Sequence, residues 1–206
     1  LSWVVAVAVI ALAVARAARG KSFKAAGAIV GGTIVAAILL TSVAAGLVFI
    51  RPEERGVVIS AVAPGGYHPE SLTPGLHWVI PFFENVVIYP ISRQTYTMSI
   101  APSEGTVQGD DSVEARTSDG QIVRIDASVI YAIDLDRVVQ VHIEWQSRYS
   151  SDLGRPIARG LIRSAASQYA VEEIVTSERD ALTDRITADL ATSLEENGIN
   201  LIEFIL

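Results

Sequence analysis

An α+β domain carried on N-terminal membrane helices is the fold class this sequence predicts, with an antiparallel sheet covered by helices on one face. Three observations predict it. The 26 residues from Ala25 to Ile50 contain no charge. Between positions 57 and 133, apolar residues recur in short runs punctuated by Gly, Pro and Asp turns. After Asp134 the apolar period lengthens to that of helices, and one last apolar run closes the sequence.

A helix over 25–50 would be about 39 Å long at 1.5 Å per residue, more than the ~30 Å hydrocarbon core of a bilayer. These residues are therefore expected to form a transmembrane helix. Gly27, Ala28, Gly31 and Gly32 add small residues at a spacing that suits close helix packing. Leu1 to Ala15 is a second apolar stretch, interrupted by Ser2 alone. It is short for a span and is read as a first transmembrane helix, with a surface-lying segment as the alternative. The charges follow this run and do not precede it, unlike a signal peptide. Arg16, Arg19, Lys21 and Lys24 fill the connection with positive charge and no acid, which assigns it to the cytoplasm by the positive-inside rule. The resulting division is 1–24 (first helix and basic loop), 25–50 (transmembrane helix) and 51–206 (folded domain). It implies a multi-pass protein of the cell membrane with an extracytoplasmic domain.

Charge is divided sharply along the sequence. All 23 acidic residues lie beyond position 50, accompanied by twelve arginines and no lysine. An acidic domain without a basic patch argues against nucleic-acid binding, which depends on phosphate neutralisation. Cysteine is absent, which excludes disulfides, thiolate nucleophiles and thiolate metal sites.

Within the domain, Val57 to Val62 reads as a strand ending at Ala63-Pro64-Gly65-Gly66. Leu76 to Ile80 reads as a second, bounded by Thr73-Pro74-Gly75 and Pro81. Residues 85–90 and 93–100 read as two more, followed by a polar loop over 101–111. Val113 to Thr117 and Gln121 to Ile133 flank Ser118-Asp119-Gly120, a hairpin signal. Val123, Ile125, Ala127, Val129, Tyr131 and Ile133 share one face of the second arm. A short helix is expected around Val138 and His142. The next has Pro156 in its first turn and a stripe of Ile157, Leu161, Ala165 and Tyr169. Ser177 with Asp180 resembles a capping box opening the helix of Leu182, Ile186, Leu190 and Leu194, which stops at Asn197-Gly198. Ile199 to Leu206 is the final strand.

Candidate chemistry is sparse. His68, His77 and His142 have no ligand-like spacing with one another or with close acids, and no phosphate-binding loop or nucleophile motif occurs. The pairs Asp110–Asp111 and Glu172–Glu173 are candidates for cation binding or acid–base work, but adjacent acids of this kind usually form solvated surface. No catalytic, cofactor-binding or metal residue is assigned. Trp78, Phe82 and Phe83 form an aromatic cluster with two open readings: a patch that meets lipid, or the core of a small sheet.

The run Gly75-Leu76-His77-Trp78-Val79-Ile80-Pro81-Phe82-Phe83 followed by Val87-Ile88-Tyr89-Pro90 resembles the opening of the stomatin/prohibitin/flotillin/HflK-C domain, also called SPFH or band 7. Thr117 to Val123 with Val129-Ile130-Tyr131 is similar to its central hairpin. Ile162-Arg163-Ser164 and the segment Ala181 to Ile199 resemble its helical half. The resemblance covers about Glu53 to Leu206, and the subgroup it suggests is prohibitin-like. It implies a non-catalytic membrane scaffold without a cofactor, self-associating into a large ring or cage through the domain and a following coiled coil. It further implies organisation of a membrane microdomain and, in some members, enclosure or regulation of a membrane AAA+ protease. Trp78, Phe82 and Phe83 would then lie at the membrane, and the helices over 155–169 and 177–197 would meet neighbours. The competing readings are a lipid-binding or sensory membrane module and a membrane-tethered hydrolase using the acidic pairs.

Overall fold

The computed structural model describes Val7, Ala8, Ala11, residues 23–176 and residues 178–206, with backbone alone for 23–30. Apart from these few positions, the expected first helix over 1–15 and the basic loop over 16–24 lie outside the described residues, as does Ser177 of the expected cap.

The uncharged run does not continue as one helix. Helix α1 (Phe23–Ala45) ends at Gly46, and Leu47–Ile50 forms strand β1 instead. Leu-Val-Phe-Ile suits a strand, and β1 finds an antiparallel partner in β3 (Gly75–Trp78), with Leu47 opposite Trp78 and Phe49 opposite Leu76. Gly46 is required at the junction. A Cβ there would lie 2.3 Å from the Val79 carbonyl oxygen and 2.6 Å from the Trp78 indole nitrogen. Among the described residues no helix is long and apolar enough to cross a membrane. This corrects the expected transmembrane helix over 25–50, and the multi-pass, extracytoplasmic placement built on it falls with it.

The rest is α+β, as its patterning predicts. Strand β2 (Glu54–Ser60) pairs with β4 (Glu84–Pro90), β6 (Val113–Arg116) with β7 (Ile122–Ile125), and β8 (Ala127–Ile133) lies between β5 (Gln94–Met98) and β9 (Ile199–Ile205). All pairs are antiparallel. The sheet is thus divided into four small ones. The long second arm of the hairpin breaks at Asp126, whose carboxylate accepts hydrogen bonds from the Ser99 hydroxyl (3.1 Å) and the Ile100 N–H (3.0 Å). The alternation still holds across that break: Ile125, Ala127, Val129, Tyr131 and Ile133 are all buried.

Helices α2 (Val138–Glu144), α3 (Arg155–Ala166), α4 (Val171–Val175) and α5 (Arg179–Glu196) complete the domain. Leu182, Ile186, Leu190 and Leu194 form the buried stripe of α5. On α3 the buried residues are Ala158, Ile162, Ala165 and Ala166, and Ile157, Leu161 and Tyr169 of the expected stripe pack half-buried against the same core. A π-helical turn, Tyr149–Gly154, runs directly into α3. Gly198 ends α5 at φ +77°, and a Cβ there would crowd Val141 and Arg137. The Arg137 guanidinium donates to the last carbonyls of α5, those of Glu195 and Glu196.

Candidate membrane-contact site

Strand pairing explains why the first sheet exposes so much apolar surface. Directly opposed residues in an antiparallel pair point to the same face. Leu47 with Trp78 and Phe49 with Leu76 therefore share one face of the β1–β3 ribbon, which none of the described residues covers: Phe49 is 63% and Leu76 65% exposed. The opposite side carries Ile50, which is fully buried. The ribbon is fastened to the end of α1, since the Trp78 indole N–H donates to the Val43 carbonyl at 3.1 Å and the Val79 N–H to that of Gly46 at 2.8 Å.

Beyond β3 the chain turns through Ile80, Pro81, Phe82 and Phe83. Phe82 is 93% exposed and sits at φ +70°, a left-handed conformation uncommon for a non-glycine residue. Its exposure is imposed by Glu84. That side chain, 6% exposed, accepts from the Ile80 N–H (2.8 Å), the Ser60 hydroxyl (3.1 Å) and His68 Nε2 (2.9 Å). The hydrogen bond from Ile80, with smaller help from Ser60 and His68, holds the carboxyl below the ordinary glutamate range despite its desolvation. A clamped carboxylate thus closes a tight turn with two phenylalanines at its tip. Beside the turn, Ile59, Ala61, Phe82 and Phe83 help line an open groove of about 430 Å³.

The three aromatic residues read from the sequence all stand on the surface, Phe82 and Phe83 lining one groove and Trp78 lying on the neighbouring ribbon; the small-sheet-core reading fails, because all three are more than half exposed. Sequence reasoning missed Leu47, Phe49 and Leu76. The alternation of Leu47 and Phe49 was the available signal, masked by its place inside a longer apolar run.

The acidic candidates part company. Asp111 is not solvated surface: its side chain is 4% exposed and is held by Arg155, by Arg159 at 2.9 Å and by the Tyr96 hydroxyl at 3.2 Å. The Arg155 hydrogen bond is the leading cause that holds its carboxyl below the ordinary aspartate range. Asp110 pairs with Arg124 at 2.6 Å. With Arg159 donating to the Ser112 carbonyl and Arg163 to that of Glu114, three arginines one turn apart on α3 fasten the edge of β6. Glu172 and Glu173 are exposed at the start of α4, where the Glu173 carboxylate accepts the Ala170 N–H at 2.7 Å. Among the described residues no group of three or more His, Cys, Asp or Glu is placed to hold a metal ion.

His77 Nε2 bonds the Thr73 carbonyl at 2.7 Å, and His142 Nδ1 lies 2.6 Å from the Tyr89 hydroxyl. Each histidine is therefore tied to a local structural partner.

The model of the SPFH domain / Band 7 family matches residues 48–206. The chain belongs to this family. Domains of the family are non-catalytic, which agrees with a site built from apolar side chains and structural ion pairs. The chain is also similar to Protein HflK of Treponema pallidum (strain Nichols), with 28% identity over 180 residues, covering 84% of this chain and 52% of that protein. It spans about half the length of this curated relative.

Proposed function

We propose that this domain is a membrane-associated, self-associating scaffold that meets lipid through the β1–β3 ribbon and the Phe82–Phe83 turn. The observation that carries the reading is a rigidly held apolar tip on an acidic domain: Leu47, Phe49, Leu76, Trp78, Phe82 and Phe83 are exposed while the backbone beneath them is pinned. Contiguous apolar surface of this kind marks a site of protein or membrane contact, and the indole and phenyl groups favour the bilayer interface. Monotopic contact of this sort requires no spanning helix.

In this proposal the functional unit is residues 51–206 enlarged by β1. Copies associate side by side into a ring or cage through α3 and α5, organise a membrane microdomain, and recruit or restrain a membrane AAA+ protease as client. The prohibitin-like reading of the sequence and the similarity to a protein named HflK favour different subgroups, and both suit a scaffold. Vesicle flotation followed by projection imaging tests it. The protein is expected to float with neutral-lipid vesicles and to form closed oligomers, and a Trp78→Ser/Phe82→Ser/Phe83→Ser variant is expected to lose at least about tenfold in vesicle affinity, given ~1.5–3 kcal/mol per buried large apolar side chain. Unchanged flotation of that variant would overturn the lipid contact, and a monomer on the vesicle surface would overturn the scaffold.

A further inference from the structure

The domain consists of two halves with a narrow seam. From the β1–β4 half, Val57 and Tyr89 are buried members of the core formed mainly by the rest of the domain, Tyr67, Val87 and Ile91 pack half-buried against it, and α2 is the helix that packs on β2. Tyr89 is the centre of this joint. Its hydroxyl lies 2.6 Å from His142 Nδ1 on α2, with the two rings edge to face at 5.6 Å. Tyr149 packs against it at 6.5 Å, and the Tyr149 hydroxyl donates to Gln94 Oε1 at 2.8 Å, while Gln94 donates to the Pro90 carbonyl in the link between the halves.

The same seam is incompletely satisfied. Arg55 stands opposite Tyr89 in the β2–β4 register, and its Nη1 is buried without a hydrogen-bond partner. Trp145, one turn beyond His142, buries its indole N–H in the same condition. Two buried donors without protein acceptors add nothing to the hold between the halves.

We propose that this seam is a proton-operated hinge, in which protonation of His142 releases the β1–β4 half from α2. A neutral imidazole accepts the Tyr89 hydroxyl proton at Nδ1. A proton taken up at Nδ1 converts that acceptor into a donor, so the Tyr89 hydroxyl must turn its own proton elsewhere, and it adds a positive charge to a partly desolvated joint. The group in contact with His142 is Tyr89 on β4, which in turn has Tyr149 against its ring and Arg55 opposite it in the strand register, while Arg137 and Glu144 lie at the two ends of the helix that carries His142. Among the described residues no carboxylate forms an ion pair with it, so nothing at the joint compensates the added charge. Desolvation lowers the pKa of His142 in the closed form. The sign follows: the open form binds the proton more tightly, so closure is fully favoured above the ordinary histidine range and is lost as pH falls through and below it. On the proposed reading of the apolar tip, opening re-aims that tip relative to the helices that meet neighbouring copies.

The absence of cysteine makes the test direct. Nitroxides on Glu70→Cys and Ser118→Cys, one in each half of the full chain, report their separation by double electron–electron resonance without any membrane. Failure would therefore leave the lipid-contact reading untouched. A single narrow separation is expected at pH 8, with a second, shifted population growing as pH falls from 7 to 5. His142→Gln, which keeps an acceptor for Tyr89 but does not titrate, is expected to abolish the response. Tyr89→Phe is expected to show the second population already at pH 8. An unchanging distribution in the parent protein between pH 8 and 5, or a response that survives in His142→Gln, would overturn the hinge. His68 and His77 both lie in the β1–β4 half, and loss of the response in His142→Gln separates the joint from either of them.

Discussion

The β1–β4 half and the half formed by residues 94–206 use the same kinds of apolar residue to opposite ends. In the second half, Met98, Val113, Ile162, Leu182, Ile186, Leu190 and Leu194 are all buried almost completely in one contiguous core. In the first half, large side chains at 47, 49, 76, 78, 82 and 83 stand in the open, and shape is maintained by backbone pairing, a buried carboxylate and the Gly46 junction. Apolar burial holds the second half together, and in the first, where Ile50, Val57, Val58 and Tyr89 are also buried, a large share of the apolar surface is left available for a partner. The difference shows how one chain can combine a stable body with a contact surface that contributes little to its own folding.

The comparison is sharpened most by truncating one apolar residue in each half. Leu190→Ala should cost about 2–5 kcal/mol, the range for emptying a packed core site, whereas Leu76→Ala should stay within about 0.5 kcal/mol. Denaturant unfolding measures both, and equal losses would break the distinction.

Asp111→Asn comes next. It replaces the carboxylate shared by Arg155 and Arg159 with an amide that keeps one acceptor oxygen but no charge, at an expected cost of about 1–3 kcal/mol, held to that range because Arg155 remains partly open to solvent. The same carboxylate should give the domain an acid limb. A lowered pKa in the folded state means that its contribution is complete above the ordinary aspartate range and disappears as pH falls through the folded value. Thermal melts between pH 6 and 2 should show that loss in the parent, and a smaller one in Asp111→Asn.

A smaller effect is expected from Glu84→Gln, about 1 kcal/mol in stability, with a weakened hold on the Phe82 turn read as faster amide exchange at Ile80. The smallest concerns exposed ion pairs. The charge on residues 51–206 is −11, and the acids exposed on α5, such as Asp184, Asp189 and Glu196, have no ion-pair partner among the described residues. If neighbours meet through arginine–carboxylate pairs, oligomer mass should fall as salt rises toward molar concentration. A mass insensitive to salt would remove those pairs from the account.

Periodicity made most of this architecture legible. The alternation through Ile125 to Ile133 and the four-residue repeat of Leu182 to Leu194 each reflect a single buried face, so their patterns survive in the sequence. The region around Leu47 was not legible, because an unbroken apolar run looks the same whether it forms one helix or a helix followed by a strand. Only the long-range partner at Gly75–Trp78 decides between them. Asp111 was misread for a similar reason: its burial depends on Arg155 and Arg159, more than forty positions away. The aromatic cluster was visible as composition, but its exposure follows from the Glu84 clamp and the register of the ribbon.

The lipid contact can be tested most directly with an environment-sensitive fluorophore placed at Phe82→Cys in the otherwise cysteine-free chain, and at Val175→Cys as the counterpart in the other half. On addition of phosphatidylcholine vesicles, the label at 82 should shift to the blue and be quenched by bromines carried on the acyl chains, while the label at 175 stays aqueous. Two labels that both remain in water, or that both enter lipid equally, would contradict the assignment of the Phe82 turn as the surface that meets the bilayer.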